Sequence, residues 1–226
     1  PSPASSTWRR YAVVGAIVAL GLLAAAYNAK GFVLLTSGTH AGDAIDLSLR
    51  WGEQRYVAAR VNPYDVWIAH VDLFDAPTKA KWKTDRPSAI LPQYGLAEPA
   101  HPPWGFVSSW PFVWPDWPTA RWYFALLCLA AIGYSAWRAF DYGRACSPHI
   151  GTLFAVSILA SSGAGLSLQV GQYGWPVVAL LFASLHLRTR PALAGIPLAF
   201  ATTKATMGAP FFLAALAKWT ADCTLL

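Results

Sequence analysis

The sequence predicts an all-α polytopic membrane protein. Charged residues make up only 12% of the 226 residues, where a soluble domain carries about 25%. So little charge cannot cover the surface of a globule this size. Hydrophobic residues reach 55% and the mean hydropathy is +0.37. The apolar residues gather into long segments joined by short basic connections. Twelve Trp, 17 Pro and 17 Gly complete the picture, because membrane interfaces favour Trp and membrane helices tolerate Gly and Pro.

Five apolar segments form one transmembrane domain. The first runs from Tyr11 to about Tyr27, behind Arg9 and Arg10. A signal peptide has similar features, but further spans follow, so the segment is read as a retained span. The second covers about Trp122 to Trp137, the third Ile150 to Leu168 and the fourth Gly174 to Leu187. The fifth, Ala192 to Ala217, is interrupted by Pro197, Lys204 and Pro210. A span needs about 20 apolar residues. The second and fourth are short and borrow flanking residues or pack inside a bundle.

Basic residues set the orientation. Arg9 and Arg10, Arg138 and Arg144, and Arg188 and Arg190 fall on one side of an alternating topology. The positive-inside rule makes that side cytoplasmic. The amino terminus is then inside, and residues 28–121 form a long extracytoplasmic loop. The net charge of +6 is topological information and no argument for nucleic acid. Three Cys rule out a disulfide scaffold. The His residues show no metal-ligand spacing, and no nucleotide-binding glycine motif appears. No metal and no cofactor is expected.

A loop of that length is functional more often than not. It holds all of the 11 acidic residues except Asp141 and Asp222. Ala44 to Ala59 has the pattern of a helix with Asp43 as N-cap. Ile45, Leu49, Gly52 and Tyr56 share one face, and Asp46, Arg50 and Glu53 a neighbouring one. Asn62-Pro63-Tyr64-Asp65 is a turn that ends the helix. Pro77 to Pro92 reads as an exposed excursion. From His101-Pro102-Pro103-Trp104 to Trp117 runs an aromatic stretch broken by prolines, which suits a re-entrant or interfacial element.

Four positions carry candidate chemistry. Asp46 lies shortly after the first span, where a carboxylate can act as a general base; a solvated acid paired with Arg50 is the other reading. Lys204 sits inside an apolar segment. A charge there costs about 2.5–3.5 kcal/mol on the lenient insertion scale, which points to a functional site with an anionic partner. Snorkelling to an interface is the alternative. Gln169 and Gln172 flank a tight outer turn, and either bind sugar hydroxyls or cap helices.

Taken in order, these features resemble glycosyltransferase family 87 (DUF2029), polytopic enzymes of the GT-C class that include polyprenol-phosphate-mannose-dependent mannosyltransferases. The resemblance rests on Asp46 after the first span, Asn62-Pro63-Tyr64-Asp65, His101-Pro102-Pro103, Gly171-Gln172-Tyr173-Gly174 and Lys204-Ala205. The family pattern has Tyr where His101 stands, Asn at Gly174 and Pro at Ala205. Such enzymes are about twice this length, so the chain resembles an amino-terminal portion.

The resemblance implies a GT-C-like helical bundle in the plasma membrane. It implies a polyprenyl-phosphate sugar donor, of mannose or a related hexose or pentose, and a glycolipid or glycan acceptor. Asp46 would deprotonate the acceptor for inverting attack. Lys204, with Arg50 and Arg55, would hold the donor phosphate. His101, Gln172, Tyr64 and Gln169 would hold sugar or acceptor hydroxyls. Two other classes stay open: a lipid or solute transporter or flippase, with Lys204 as an anion or proton site, and an inactive membrane fragment.

Overall fold

The computed structural model of the chain describes residues 3–37, 44–58, 60, 62, 64 and 116–224. They form helices α1 (Pro3–Ser37), α2 (Ile45–Ala58), α3 (Trp117–Gly143), α4 (Pro148–Leu159), α5 (Ser162–Val170), α6 (Gly174–His186), α7 (Pro191–Ala201) and α8 (Ala205–Thr224), with no strand among the described residues. Three stretches are long and apolar enough to cross a membrane: Tyr11–Ser37, Trp117–Gly143 and Pro148–Val170. Their apolar side chains are widely exposed, among them Val14, Val18, Leu22, Leu126 and Phe154. That is how a lipid-facing surface looks, since lipid tails are as apolar as the side chains themselves. The chain is a membrane protein.

The helices exceed or subdivide the expected segments, for local reasons. α1 continues ten residues beyond Tyr27, because Gly31 to Leu35 remains apolar. Asn28 is tolerated inside it. Its amide donates to Ala24 O in the preceding turn and to Leu159 O at the end of α4, both at 2.8 Å. The second bond satisfies a carbonyl that the break after α4 leaves without its helical partner. α3 begins at Trp117 because Asp116 is an N-cap, accepting from Thr119 N at 3.1 Å, with Pro118 in the first turn. Ser147 and Pro148 start α4 in the same way.

Two close crossings fix the bundle. α1 meets α5 where Gly31 faces Gly165; a Cβ on Gly165 would stand 2.5 Å from Tyr27 O. α3 meets α4 where Gly143 faces Gly151; a Cβ on Gly143 would stand 2.8 Å from Gly151 Cα. Small residues let membrane helices approach this closely. The core between them holds Leu35, Phe124, Cys128, Ile132, Leu168 and Trp175. Arg121, on α3, is buried and donates to the carbonyls of Leu34 and Leu35, so it ties down the carboxyl end of α1. Arg138 is buried against Asp141 at 2.7 Å, between the rings of Trp137 and Tyr142.

The fifth apolar segment is two helices. α7 ends at Ala201, Thr202 to Lys204 form a turn, and α8 leads back beside α6, where Val178, Leu181 and Phe182 line a pocket with Met207, Pro210 and Phe211. Gly208 permits the bend, as a Cβ there would stand 2.4 Å from Ala201 O. Lys204 is therefore at a helix break and not in the middle of a helix. Gly165→Ala should destabilise the detergent-solubilised chain by about 1–3 kcal/mol through overpacking. Gly133→Ala, with nothing within 4 Å of its added Cβ, should leave thermal unfolding unchanged or raise its midpoint.

Candidate active site

The site is assembled where α2 seats on the turn between α5 and α6. α5 ends at Gly171, whose φ of +73° is the left-handed conformation that glycine adopts without strain. This closes the turn and opens space for α2. Leu47 packs directly on Gly171, where a Cβ would come within 2.6 Å of the Leu47 Cβ. The N–H of Ala44 donates to Gln169 O at 2.7 Å. Trp51 packs against Trp117 of α3, with ring centroids 5.5 Å apart and the rings tilted by 49°.

The seating buries an unusual side of α2. Leu47 and Ser48 are buried, but so are Arg50, Glu53 and Gln54, while Ile45 is 42% exposed. The face shared by Asp46, Arg50 and Glu53 thus belongs to the interior. Arg50 makes an ion pair with Glu53, not with Asp46. The i, i+4 pairing expected for a solvated Asp46 is absent for this reason: Glu53, one turn away and equally buried, takes the guanidinium. Burial pushes the Glu53 carboxyl up to about 7, even with the Arg50 guanidinium against it. Burial also lowers Arg50, against the opposing fields of Glu53, Tyr173, Asp46 and Tyr64. The Tyr64 phenol is raised by partial burial and then by the Glu53 charge.

The second cation arrives from the α7–α8 turn. Lys204 Nζ donates to Gln172 Oε1 at 3.2 Å and lies over Gly174, 3.9 Å from where a Cβ would stand. A Cβ at Gly174 would touch the ammonium at ordinary van der Waals distance. Asp46 acts electrostatically on both Lys204 and Arg50. A single half-buried carboxylate is therefore within electrostatic reach of two cations carried by different elements. Among the described residues its oxygens make no hydrogen bond, which leaves them available to a ligand.

An apolar groove of about 580 Å³ adjoins this cluster. Leu127, Tyr134, Leu180 and Phe200 line it between α3, α6 and α7, and Tyr173 and Thr203 belong to its wall. Those two are the chain neighbours of Gln172 and Lys204, so polar site and groove share a wall.

Of the residues singled out by sequence, the structure brings Asp46, Arg50, Tyr64, Gln172 and Lys204 together. Gln169 enters through its backbone carbonyl. Arg55 lies on α2, but its side chain is outside the described residues. So are Asp43, His101 and the segments 77–92 and 104–115. Glu53 was missed as a site residue. The signal was its place on the Asp46–Arg50 face, which sequence reading could not tell was buried.

The model of glycosyltransferase family 87 matches residues 100–221, more than half of the chain. The chain belongs to glycosyltransferase family 87. Its fold and family together make it a membrane glycosyltransferase. The matched part holds Gln172, Lys204 and the groove, while Asp46, Arg50, Glu53 and Tyr64 precede it. No curated protein and no solved structure matches the chain.

The geometry makes Gly171 the hinge on which α2 is placed. Gly171→Ala should destabilise the chain by about 1–3 kcal/mol, through left-handed strain at a non-glycine residue. Limited proteolysis should then cut faster around Arg50 and Arg60. Unchanged cleavage would contradict the seating of α2.

Proposed function

We propose that this membrane glycosyltransferase moves a sugar from a polyprenyl-phosphate donor to a hydroxyl of a glycolipid or glycan acceptor, with inversion. The observation that carries the reading is that the Asp46 charge acts on both Lys204 and Arg50, and that Lys204 and Gln172 adjoin an apolar groove. A lipid-linked phosphate has the matching chemistry. It presents an anion for two cations and a hydrocarbon chain for the groove. In a site that excludes water those charges act more strongly than in solution.

In this reading the acceptor hydroxyl gives its proton to Asp46 as its oxygen attacks the anomeric carbon from the face opposite the phosphate. The bond from that carbon to the phosphate oxygen breaks, and polyprenyl phosphate leaves with the electron pair. Lys204 and Arg50, with Arg55, steady the charge that develops there. Gln172, Tyr64, Gln169 and His101 hold donor or acceptor hydroxyls. The sugar is mannose or a related hexose or pentose. The positive-inside distribution supports a plasma-membrane protein with a cytoplasmic amino terminus and an extracytoplasmic site. Nucleotide sugars are absent on that side, in keeping with a lipid-linked donor.

Asp46→Asn removes the base while keeping the shape. In the full chain, transfer from a polyprenyl-phosphate sugar should fall by roughly 10²–10⁴-fold, with donor affinity little changed. Lys204→Met should act mainly on donor affinity, read as a raised KM. Unchanged turnover in Asp46→Asn sinks the proposed role of that carboxylate.

A further inference from the structure

The Arg50–Glu53 pair is built into the site, yet the chemistry above uses only its cation. Both side chains are buried, and both are on the helix that carries Asp46. One Glu53 oxygen receives the Arg50 guanidinium; the other, Oε1, is buried with no hydrogen-bond partner among the described residues. An unsatisfied oxygen on a buried carboxylate is destabilising. An amide would carry no charge to desolvate there, but it would leave the buried Arg50 without a counter-charge. A carboxylate kept under such conditions suits a change of charge state.

We propose that Glu53 is a proton-linked counter-charge in the donor site: it neutralises Arg50 while the site is empty and takes up a proton when a lipid-linked phosphate binds. The proposal rests on the reading of this site as one for a lipid-linked phosphate.

The groups around the pair set the direction. On α2 itself are Asp46 and Arg50. Tyr64 follows that helix, and Tyr173 faces the pair from the α5–α6 turn. α3 packs on α2 and brings Arg121, which is engaged by the carbonyls of Leu34 and Leu35, and Asp116, at the surface. α5 carries no acidic or basic residue. Lys204 reaches the cluster through Asp46. Among the described residues Arg50 is thus the cation that holds the Glu53 charge in place.

An arriving phosphate acts on Glu53 in two ways. It competes for the Arg50 guanidinium, and it adds a like charge beside the carboxylate. Both raise the proton affinity of Glu53. Since burial already places that carboxyl at about 7, the added anion carries it across neutrality. The proton comes from water, forms only the new O–H bond on Glu53, and returns when the anion leaves. Above pH 7 the bound state then holds a proton that the empty state lacks. Anion affinity is therefore greatest below pH 7 and falls as pH rises, by up to about tenfold per unit.

The test is calorimetric titration of the full chain in detergent with methyl farnesyl phosphate. This lipid phosphodiester carries one negative charge and does not titrate near neutrality. Runs at pH 6 to 8.5, in two buffers of different protonation enthalpy, count the protons taken up. Wild type should bind with an uptake approaching one proton at pH 8, and its affinity should weaken by about three- to tenfold from pH 7 to pH 8. Glu53→Gln should take up none, and its affinity should be flat with pH and at least equal to wild type at pH 8. Binding to wild type with no proton uptake overturns the role of Glu53 and leaves the donor reading standing. Glu53→Gln that binds more weakly at every pH and keeps the wild-type slope also overturns it, as a structural role predicts. No binding to wild type at any pH overturns both. If Glu53→Gln does not fold, Glu53→Asp and Asp46→Asn are read in the same way: uptake that persists in Asp46→Asn supports Glu53, and uptake lost there overturns its role.

Discussion

Everything that makes this bundle a site follows from the seating of α2 on the left-handed turn at Gly171. Asp46, on α2, and Lys204, in the turn between α7 and α8, are far apart in sequence. The Ala44–Gln169 hydrogen bond and the Leu47–Gly171 contact bring the first of them to the turn between α5 and α6. The break between α7 and α8 brings the second. Neither device is strong alone. A backbone hydrogen bond contributes about 1 kcal/mol net. Their value is positional: they fix where a carboxylate and two cations stand relative to an apolar groove.

The energetic character of the site follows from that placement. Charges beside a membrane-embedded bundle are poorly solvated, so each must find a partner or change its protonation state. Arg121 and Arg138 resolve this structurally, on carbonyls and on Asp141. The cluster around Asp46 resolves it incompletely. Lys204 meets only a neutral amide within hydrogen-bond distance among the described residues, and Glu53 keeps one oxygen without a partner. Such incomplete satisfaction is common where a ligand completes the network, and uncommon where charges serve only the fold.

Much of this was legible in the sequence. The helical class follows from apolar length and scarce charge, which the bilayer constrains tightly. Lys204 stood out as a charge inside an apolar segment, Asp46 as an acid shortly after the first span, and Gln172 as an amide at a tight turn between spans. The α2 helix and its terminating Asn62 turn were readable from local chemistry. What could not be read is tertiary. Asn28 looks like the end of a span, but a carbonyl freed by the break after Leu159 lets the helix run on to Ser37. Lys204 reads as mid-helix because the bend at Thr202 to Lys204 depends on Gly208 passing Ala201, a contact with no local signature. Glu53 shares a face with Asp46 in any helical projection. Periodicity separates faces, but it does not say which face the rest of the protein covers.

The central claim is that Asp46 and Lys204, from separate elements, form one site with one donor. A double-mutant cycle with Asp46→Asn and Lys204→Met tests it most directly, read as kcat/KM for transfer from a polyprenyl-phosphate sugar. The two changes should couple by about 0.5–3 kcal/mol, because the Asp46 charge acts on Lys204. Losses that multiply to within about 0.3–0.5 kcal/mol would show that the two residues act apart, and would contradict it.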